Sequence, residues 1–330
     1  MLPILFIIPK FSSAILIKLL GYEVIFFTLL FFLFRKKVDS VAKLRTDLLN
    51  YLFFFMAITV LLFFFGPFPI RSYGVAIALG FITAILIARN LSKKNNLDPD
   101  IIINLTLYIL LGVLIGARLF FVIFYDWNYF ISNPLKFFAF WEGGLVFYGG
   151  LIGGIVSGYL YLKKLKLNIL AYSDIISVCT FIGIFFGRLG CLSYGCCFGK
   201  VAEKGMPFTI KFPAIGNKLT GLTPAFETHL HQGLVTTADC FSLPVYPVQI
   251  ISSLDGLILF FIMFFLYKKR KFTGQITGLA LIFYAIVRTL EELLRIEPRF
   301  LTLSISQWIS LFIFAFGIYI YKQSQKKASI

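Results

Sequence analysis

The chain has 330 residues, 59% of them hydrophobic and 14% charged, with a formal net charge of +16 and 41 phenylalanines. That composition excludes a water-soluble domain and specifies a polytopic, all-α membrane protein. The positive charge lies in short clusters between apolar runs, which excludes a nucleic-acid-binding patch.

Apolar runs lie near 13–34, 50–66, 69–89, 100–124, 145–162, 170–188, 247–267, 274–296 and 303–321, so about nine transmembrane helices are expected. The first run ends in Arg35-Lys36-Lys37 with no small-residue cleavage site, and reads as an uncleaved span. Basic clusters follow every second span: Lys43 and Arg45, Arg89 to Lys94, Lys163 to Lys166, Lys268 to Lys271, and Lys322 to Lys327. The positive-inside rule puts these in the cytoplasm with the C-terminus, and the N-terminus outside. Between spans, Tyr125 to Gly144 is rich in Trp, Tyr and Phe and suits an arm lying in the membrane interface. The stretch 191–246 is long and polar enough for a small external insertion.

The sixth span ends in GRLGCLSYGCCFG, Gly187 to Gly199. Its Arg188 is a permanent charge at the edge of the apolar layer, which marks a substrate path or a side chain reaching for the interface. Arg118 lies late in the fourth span, and Tyr73 opens the third beside Arg71. Arg288, Glu292 and Arg295 follow an i, i+4, i+7 spacing that would put them on one helix face. One carboxylate does not balance several guanidiniums, so an anionic ligand is expected, and the planar fork of Arg suits phosphate. Asp174, at the other end of its span, reads as a cap or a local pair. Cys191, Cys196, Cys197 and Cys240 share one external segment in which disulfides could form. Cys196, Cys197, His229 and His231 lack a standard zinc spacing. No metal or other cofactor is therefore expected, and both histidines read as solvent-facing.

Two stretches, WEGGLVFYGGLIGG (Trp141 to Gly154) and GRLGCLSYGCCFG, resemble the paired signatures of bacterial prolipoprotein diacylglyceryl transferases. IRSYG (Ile70 to Gly74), GARLFFVIF (Gly116 to Phe124), YPVQ (Tyr246 to Gln249) and VRTLEELLR (Val287 to Arg295) follow in the family's order. The resemblance covers roughly residues 66 to 322, so 1–66 reads as an extension with two extra spans and 67–330 as the transferase-like domain. It implies an enzyme of the bacterial inner membrane that moves the diacylglyceryl group of phosphatidylglycerol onto the lipobox cysteine of a preprolipoprotein, releasing glycerol phosphate. Arg188 is implied at the lipid head group, and Tyr148, Arg188 and Arg288 are the expected catalytic residues. Tyr73, Arg118, Gly149, Gly150, Gly199, Gln249, Glu292 and Arg295 are implied in substrate binding. Tyr148 stands where the family has His, Cys191 where it has Asn, and Cys196 where it has Glu; Tyr246 and Ser252 replace another His and Glu.

The reaction needs a thiolate and a stabilised leaving phosphate. Preorganised guanidiniums serve the second need. A phenol, with a reference pKa of about 10, is a poor base unless neighbouring Arg lowers that value, so Tyr148 is a weak candidate. Glu292 is the other, weakened by pairing with Arg, and a cationic site itself lowers the pKa of a nearby thiol. Cys196 reads as packing or disulfide-bonded rather than as a covalent nucleophile, because no adjacent His would activate it. Two further classes stay open: a non-catalytic relative that binds anionic lipid or lipobox peptides, and a transporter. Charges confined to one half of the spans speak against the transporter.

Overall fold

The computed structural model describes residues 4–8, 22–26, 28, 52, 56, 68–125, 127–138, 143–203, 205–217, 221–295 and 299–328. The expected spans at 13–34 and 50–66, with the extension they define, lie almost wholly outside the described residues. Strand β1 (Ile4–Ile8) pairs antiparallel with β2 (Phe68–Arg71). Helices α1 (Ser72–Lys94) and α2 (Pro99–Tyr125) follow, then the short α3 (Trp127–Ser132) and a 3₁₀ turn, Pro134–Phe138. Next come α4 (Phe147–Lys164) and α5 (Ile169–Tyr194). The insertion holds β3 (Ile215–Asn217), β4 (Gly221–Leu222) and α6 (Pro224–His231). After it run α7 (Val248–Lys268) and α8 (Gln275–Glu291), a 3₁₀ turn Glu292–Leu294, the β5–β6 hairpin (Arg299–Phe300, Leu303–Ser304) and α9 (Ile305–Ala328).

Five of these helices, α1, α2, α5, α7 and α9, are long and apolar enough to cross a membrane. Helices α4 and α8 occupy two more expected spans with 18 and 17 residues. The chain crosses the bundle alternately. One end carries the lysines that close α1, α4, α7 and α9; the opposite end, where α5 and α8 finish, carries Arg188 and Arg288.

Lipid tails are as apolar as Leu, so helices in a bilayer associate through close packing rather than through the hydrophobic effect. That is why the glycines matter. A Cβ on Gly116 would meet the Gly153 Cα at 2.9 Å, and one on Gly149 would meet the Gly116 carbonyl oxygen at 2.5 Å. The YGGLIGG motif is therefore one half of a glycine seam between α2 and α4. Helix α5 is the spine. Gly80 of α1 packs on Phe186, Gly256 of α7 packs on the α5 backbone, and Ser253 donates to the Phe185 carbonyl at 3.1 Å. The buried core around Ile175, Val178, Met263 and Ile276 joins α5 to α7 and α8.

Local polar contacts fix the helix ends. Asn168 caps α5 by accepting from the Ala171 N–H at 3.2 Å. Asp174, fully buried, accepts from the Gly274 and Thr277 amides and the Thr277 hydroxyl, each at 2.8 Å. It is a cap, as its position suggested, but for the start of α8 across the bundle. The insertion has a small core of its own, Phe212, Ala225 and Val245.

Arg118 is 3% exposed and is held by backbone carbonyls. Its guanidinium donates to Lys136 at 2.7 Å, Phe137 at 3.1 Å, Gly143 at 2.5 Å and Gly144 at 3.3 Å. The Phe121 and Phe130 rings lie 5.7 and 5.1 Å from its centre. The second half of the aromatic segment is thus tied back to α2 at Lys136–Phe137 and at Gly143–Gly144. Gly143 and Gly144, at φ +85° and +68°, supply the left-handed backbone that turns their carbonyls inward. Arg118→Met should leave those carbonyls without their donor, at about 1–3 kcal/mol per buried group. Hydrogen exchange across 127–138 should then rise well above the native rate while α2 itself stays protected; an unchanged exchange pattern would remove Arg118 as the anchor.

Candidate functional site

Arg188 lies on the last turns of α5, half-buried, and makes no hydrogen bond or ion pair among the described residues. Its charge nevertheless reaches Tyr73, Cys191, Cys197, Tyr284 and Glu291. Helix α1 brings Tyr73 there. Ser72 donates to the Ser193 hydroxyl at 2.9 Å, Ser193 donates to the Gly190 carbonyl at 2.8 Å, and Gly190 leaves room for the Tyr73 ring.

Opposite stands Arg288, with Nη1 2.7 Å from Glu292 and 3.7 Å from Glu291. Its Nη2 donates to the Ser306 hydroxyl of α9 at 3.1 Å. Both carboxylates are buried, at 7% exposure for Glu291 and 4% for Glu292. The shared helix face expected for Arg288, Glu292 and Arg295 does not extend that far. Helix α8 ends at Glu291, the chain tightens into a 3₁₀ turn, and Arg295 is extended at φ −113°, ψ 153°. The Lys200 backbone amide secures this turn by donating to the Leu294 carbonyl at 2.9 Å. Arg295 still lies within electrostatic reach of Cys197. Glu291 and Tyr284, which lies within electrostatic reach of Arg188, Arg288 and Tyr148, were not singled out from the sequence. The i, i+3 spacing of Arg288 and Glu291 was the available signal.

Gly195 ends α5 in a left-handed conformation at φ +83°, and the chain folds back. The amides of Gly195 and Cys196 both donate to the Cys191 carbonyl, at 2.9 and 3.2 Å. Cys197 takes φ +58°. This reversal gathers the sulfurs of Cys191, Cys196 and Cys197 within 4.8 Å of one another, and all five cysteines of the chain are free thiols. Hydrogen bonds from Cys191 and Cys196, aided by Arg188 and Arg295, hold Cys197 well below the usual thiol range. The same thiol contacts push Cys196 well above it.

The remaining expected site residues separate into two groups. Tyr148 opens α4, 39% exposed, within electrostatic reach of Tyr284. Gln249 is fully buried and donates to the Cys196 carbonyl at 2.8 Å, so it fixes the thiol turn. Gly149 and Gly150, expected at the ligand, instead face α2, where a Cβ on Gly150 would lie 3.3 Å from Val113. Gly199 is likewise a packing residue: a Cβ there would meet the Tyr246 carbonyl at 2.7 Å. Arg118 spends its donors on the aromatic arm. His229 is not solvent-facing. It is 2% exposed, its Nδ1 accepts from the Leu243 amide at 3.2 Å, and burial lowers its pKa, while His231 is exposed.

The chain matches a family profile described as prolipoprotein diacylglyceryl transferase over residues 59–322. It is 30% identical over 275 residues to the phosphatidylglycerol–prolipoprotein diacylglyceryl transferase of Idiomarina loihiensis, covering 81% of this chain and 93% of that protein. It is 33% identical over 257 residues to the like-named enzyme of Clostridium tetani, covering 76% and 92%. With that of Burkholderia multivorans it shares 32% over 274 residues, covering 77% and 90%. The chain belongs to the prolipoprotein diacylglyceryl transferase family.

Proposed function

We propose that this protein transfers the diacylglyceryl group of phosphatidylglycerol to the lipobox cysteine thiol of preprolipoproteins. The observation that carries this reading is Arg188: a half-buried guanidinium at the end of a membrane-spanning helix, without a partner among the described residues. A charge in that position is costly unless a ligand completes it. The head-group phosphodiester is such a ligand, and a guanidinium grips it through two parallel hydrogen bonds. Arg288, aimed by Glu291, Glu292 and Ser306, stabilises the leaving phosphate with Arg188. Arg295 and Tyr73 flank the same space. Arg118 and Gly199 serve the site indirectly, by holding the arm and the turn after the thiols.

The lipid enters sideways from the bilayer, and the peptide approaches from the outer face. Arg188→Lys replaces a planar fork with a point charge. It should lower kcat/KM by about 10²-fold, comparable to loss of one preorganised donor, in vesicles of phosphatidylglycerol given a lipobox peptide. A Lys variant that works at the native rate would take Arg188 out of the site.

Tyr148 assists rather than governs. General-base help contributes about 10²- to 10⁴-fold, so Tyr148→Phe should slow transfer while leaving measurable thioether product by mass spectrometry. Product from neither the native chain nor the variant, with lipid binding intact, would favour a non-catalytic lipid-binding relative.

The nine-span arrangement, with the N-terminus and the insertion outside, is part of the same reading and rests on the alternating basic clusters. A reporter active only in the periplasm should work when fused after Gly233. It should stay silent after Lys94, Lys166 or Lys271; a signal at any of these three overturns the topology.

A further inference from the structure

Cys191, Cys196 and Cys197 are the one group of potential metal ligands that the described residues bring together. Their sulfurs lie within 4.8 Å of one another. A single ion with metal–sulfur bonds of about 2.3 Å holds three thiolates about 3.8–4.0 Å apart. Sub-ångström side-chain movements close that gap. The spacing of the cysteine pair with His229 and His231 gave no zinc pattern, but the fold uses neither histidine. It recruits Cys191 from the preceding helix turn and leaves His229 bonded to Leu243.

The cluster is held in place. Gly195 and Cys197 both adopt left-handed backbone, and a cysteine gives up stability to do so. Gln249, fully buried, fixes the carbonyl of Cys196. The thiols are half-buried, so an ion and one outside ligand can reach them. Three thiolates around a divalent ion leave one net negative charge, which suits the guanidiniums of Arg188 and Arg295 beside them.

We propose that Cys191, Cys196 and Cys197 hold one thiophilic divalent ion of the zinc class, whose open fourth position takes the acceptor cysteine. The ion site stands on the geometry alone; the use made of it rests on the transfer reading above. Three protein ligands with one position open is the arrangement of a reactive rather than a closed structural site. A thiol that coordinates such an ion is deprotonated, its proton going to solvent. The bound sulfur then attacks the glycerol carbon that carries the phosphate. The carbon–oxygen bond breaks, and its electron pair leaves on glycerol phosphate beside Arg188. The product thioether is neutral and a weak ligand, so it departs and the position reopens. The metal changes no oxidation state. This supplies a thiolate at neutral pH without a strong general base, the role that Tyr148 fills poorly.

The test uses the full chain in phosphatidylglycerol nanodiscs, reduced and stripped with a chelator, then titrated with cadmium or zinc. Thiolate-to-cadmium absorption should appear with one equivalent of metal. X-ray absorption of the zinc form should show three protein sulfurs. Cys191→Ser, Cys196→Ser and Cys197→Ser should each weaken binding by more than about 100-fold, beyond the effect of losing a supporting partner. Cys179→Ser and Cys240→Ser should bind as the native chain does. Cys196→His, which keeps a zinc-ligating atom, should bind where the Ser variant does not, separating ligation from misfolding. Absorption without a sulfur signature, or binding unchanged in the triad variants, overturns the site. So does a triad that stays without metal after full reduction. Transfer is measured separately on loaded and stripped protein. Equal rates in both would overturn the activating role while the transferase reading stands. A metal that binds as described to a chain making no thioether would leave the ion site standing and sink the transferase reading.

Discussion

The constraint on which the structure turns is the cost of a guanidinium in an apolar layer. The chain meets it differently at each arginine. Arg118 is satisfied entirely by backbone carbonyls and two aromatic faces, so it becomes structural glue. Arg288 is ion-paired with Glu292 at 2.7 Å and Glu291 at 3.7 Å and donates to the Ser306 hydroxyl, so its charge is offset while its Nη1 lacks a hydrogen bond. Arg188 receives no such partner among the described residues, although it lies within reach of the same carboxylate group. A guanidinium whose donors are all spent on the chain, as in Arg118, has little to offer a ligand, whereas Arg188 keeps its donors open and Arg288 keeps its Nη1 without a hydrogen bond.

Holding several arginines near one another without collapse requires a rigid frame, and the frame is built from close backbone contact. Helix α5 carries Arg188 because its flanks are pinned to α1 at Gly80 and Gly190 and to α7 at Gly256. Its far end is pinned as well, since Asp174 caps α8, the helix that delivers Arg288. The two guanidiniums are thus positioned from the opposite end of the bundle. The glycine seam between α2 and α4 works in the same way, holding the start of α4, which carries Tyr148, against α2 while keeping α2 close enough for Arg118 to hold the arm.

The helices were legible in the sequence because a bilayer imposes their length and the basic clusters punctuate them. Observed helices such as Ile169–Tyr194 and Val248–Lys268 lie within a few residues of the apolar runs, apart from the longer site end of α5. Side-chain roles were less legible, because one residue type serves several ends. Gly149 and Gly150 belong to a signature motif, yet motif membership does not distinguish a ligand surface from a helix seam. The break at Glu291 was hidden, since LEELLR continues the helical pattern, and only the observed turn takes Arg295 off the face of Arg288. The thiol triad was half visible. The adjacent cysteines stood out, but the return of the chain onto Cys191 depends on the left-handed Gly195.

Glu291 changes the charge count at the site, and with it the electrostatic argument. Arg288 faces two carboxylates rather than one, so the site is less positive than the arginines alone suggest. On the transfer reading that balance suits the reaction. Attack by a thiolate on a phosphodiester-bearing carbon does not create net charge. It moves negative charge from sulfur, which ends as a neutral thioether, to the phosphate, which gains a second negative oxygen. Catalysis then requires positive charge that is stronger at the destination than at the origin, because only interactions that grow toward the transition state accelerate the step. A uniformly positive pocket would hold the thiolate and the phosphate alike and gain nothing. Here Arg288 is already offset by its carboxylates, and Arg188 is not. On the proposed reading the open guanidinium takes up developing phosphate charge, and preorganisation by the α5 frame would let it act without rearrangement as the bond breaks.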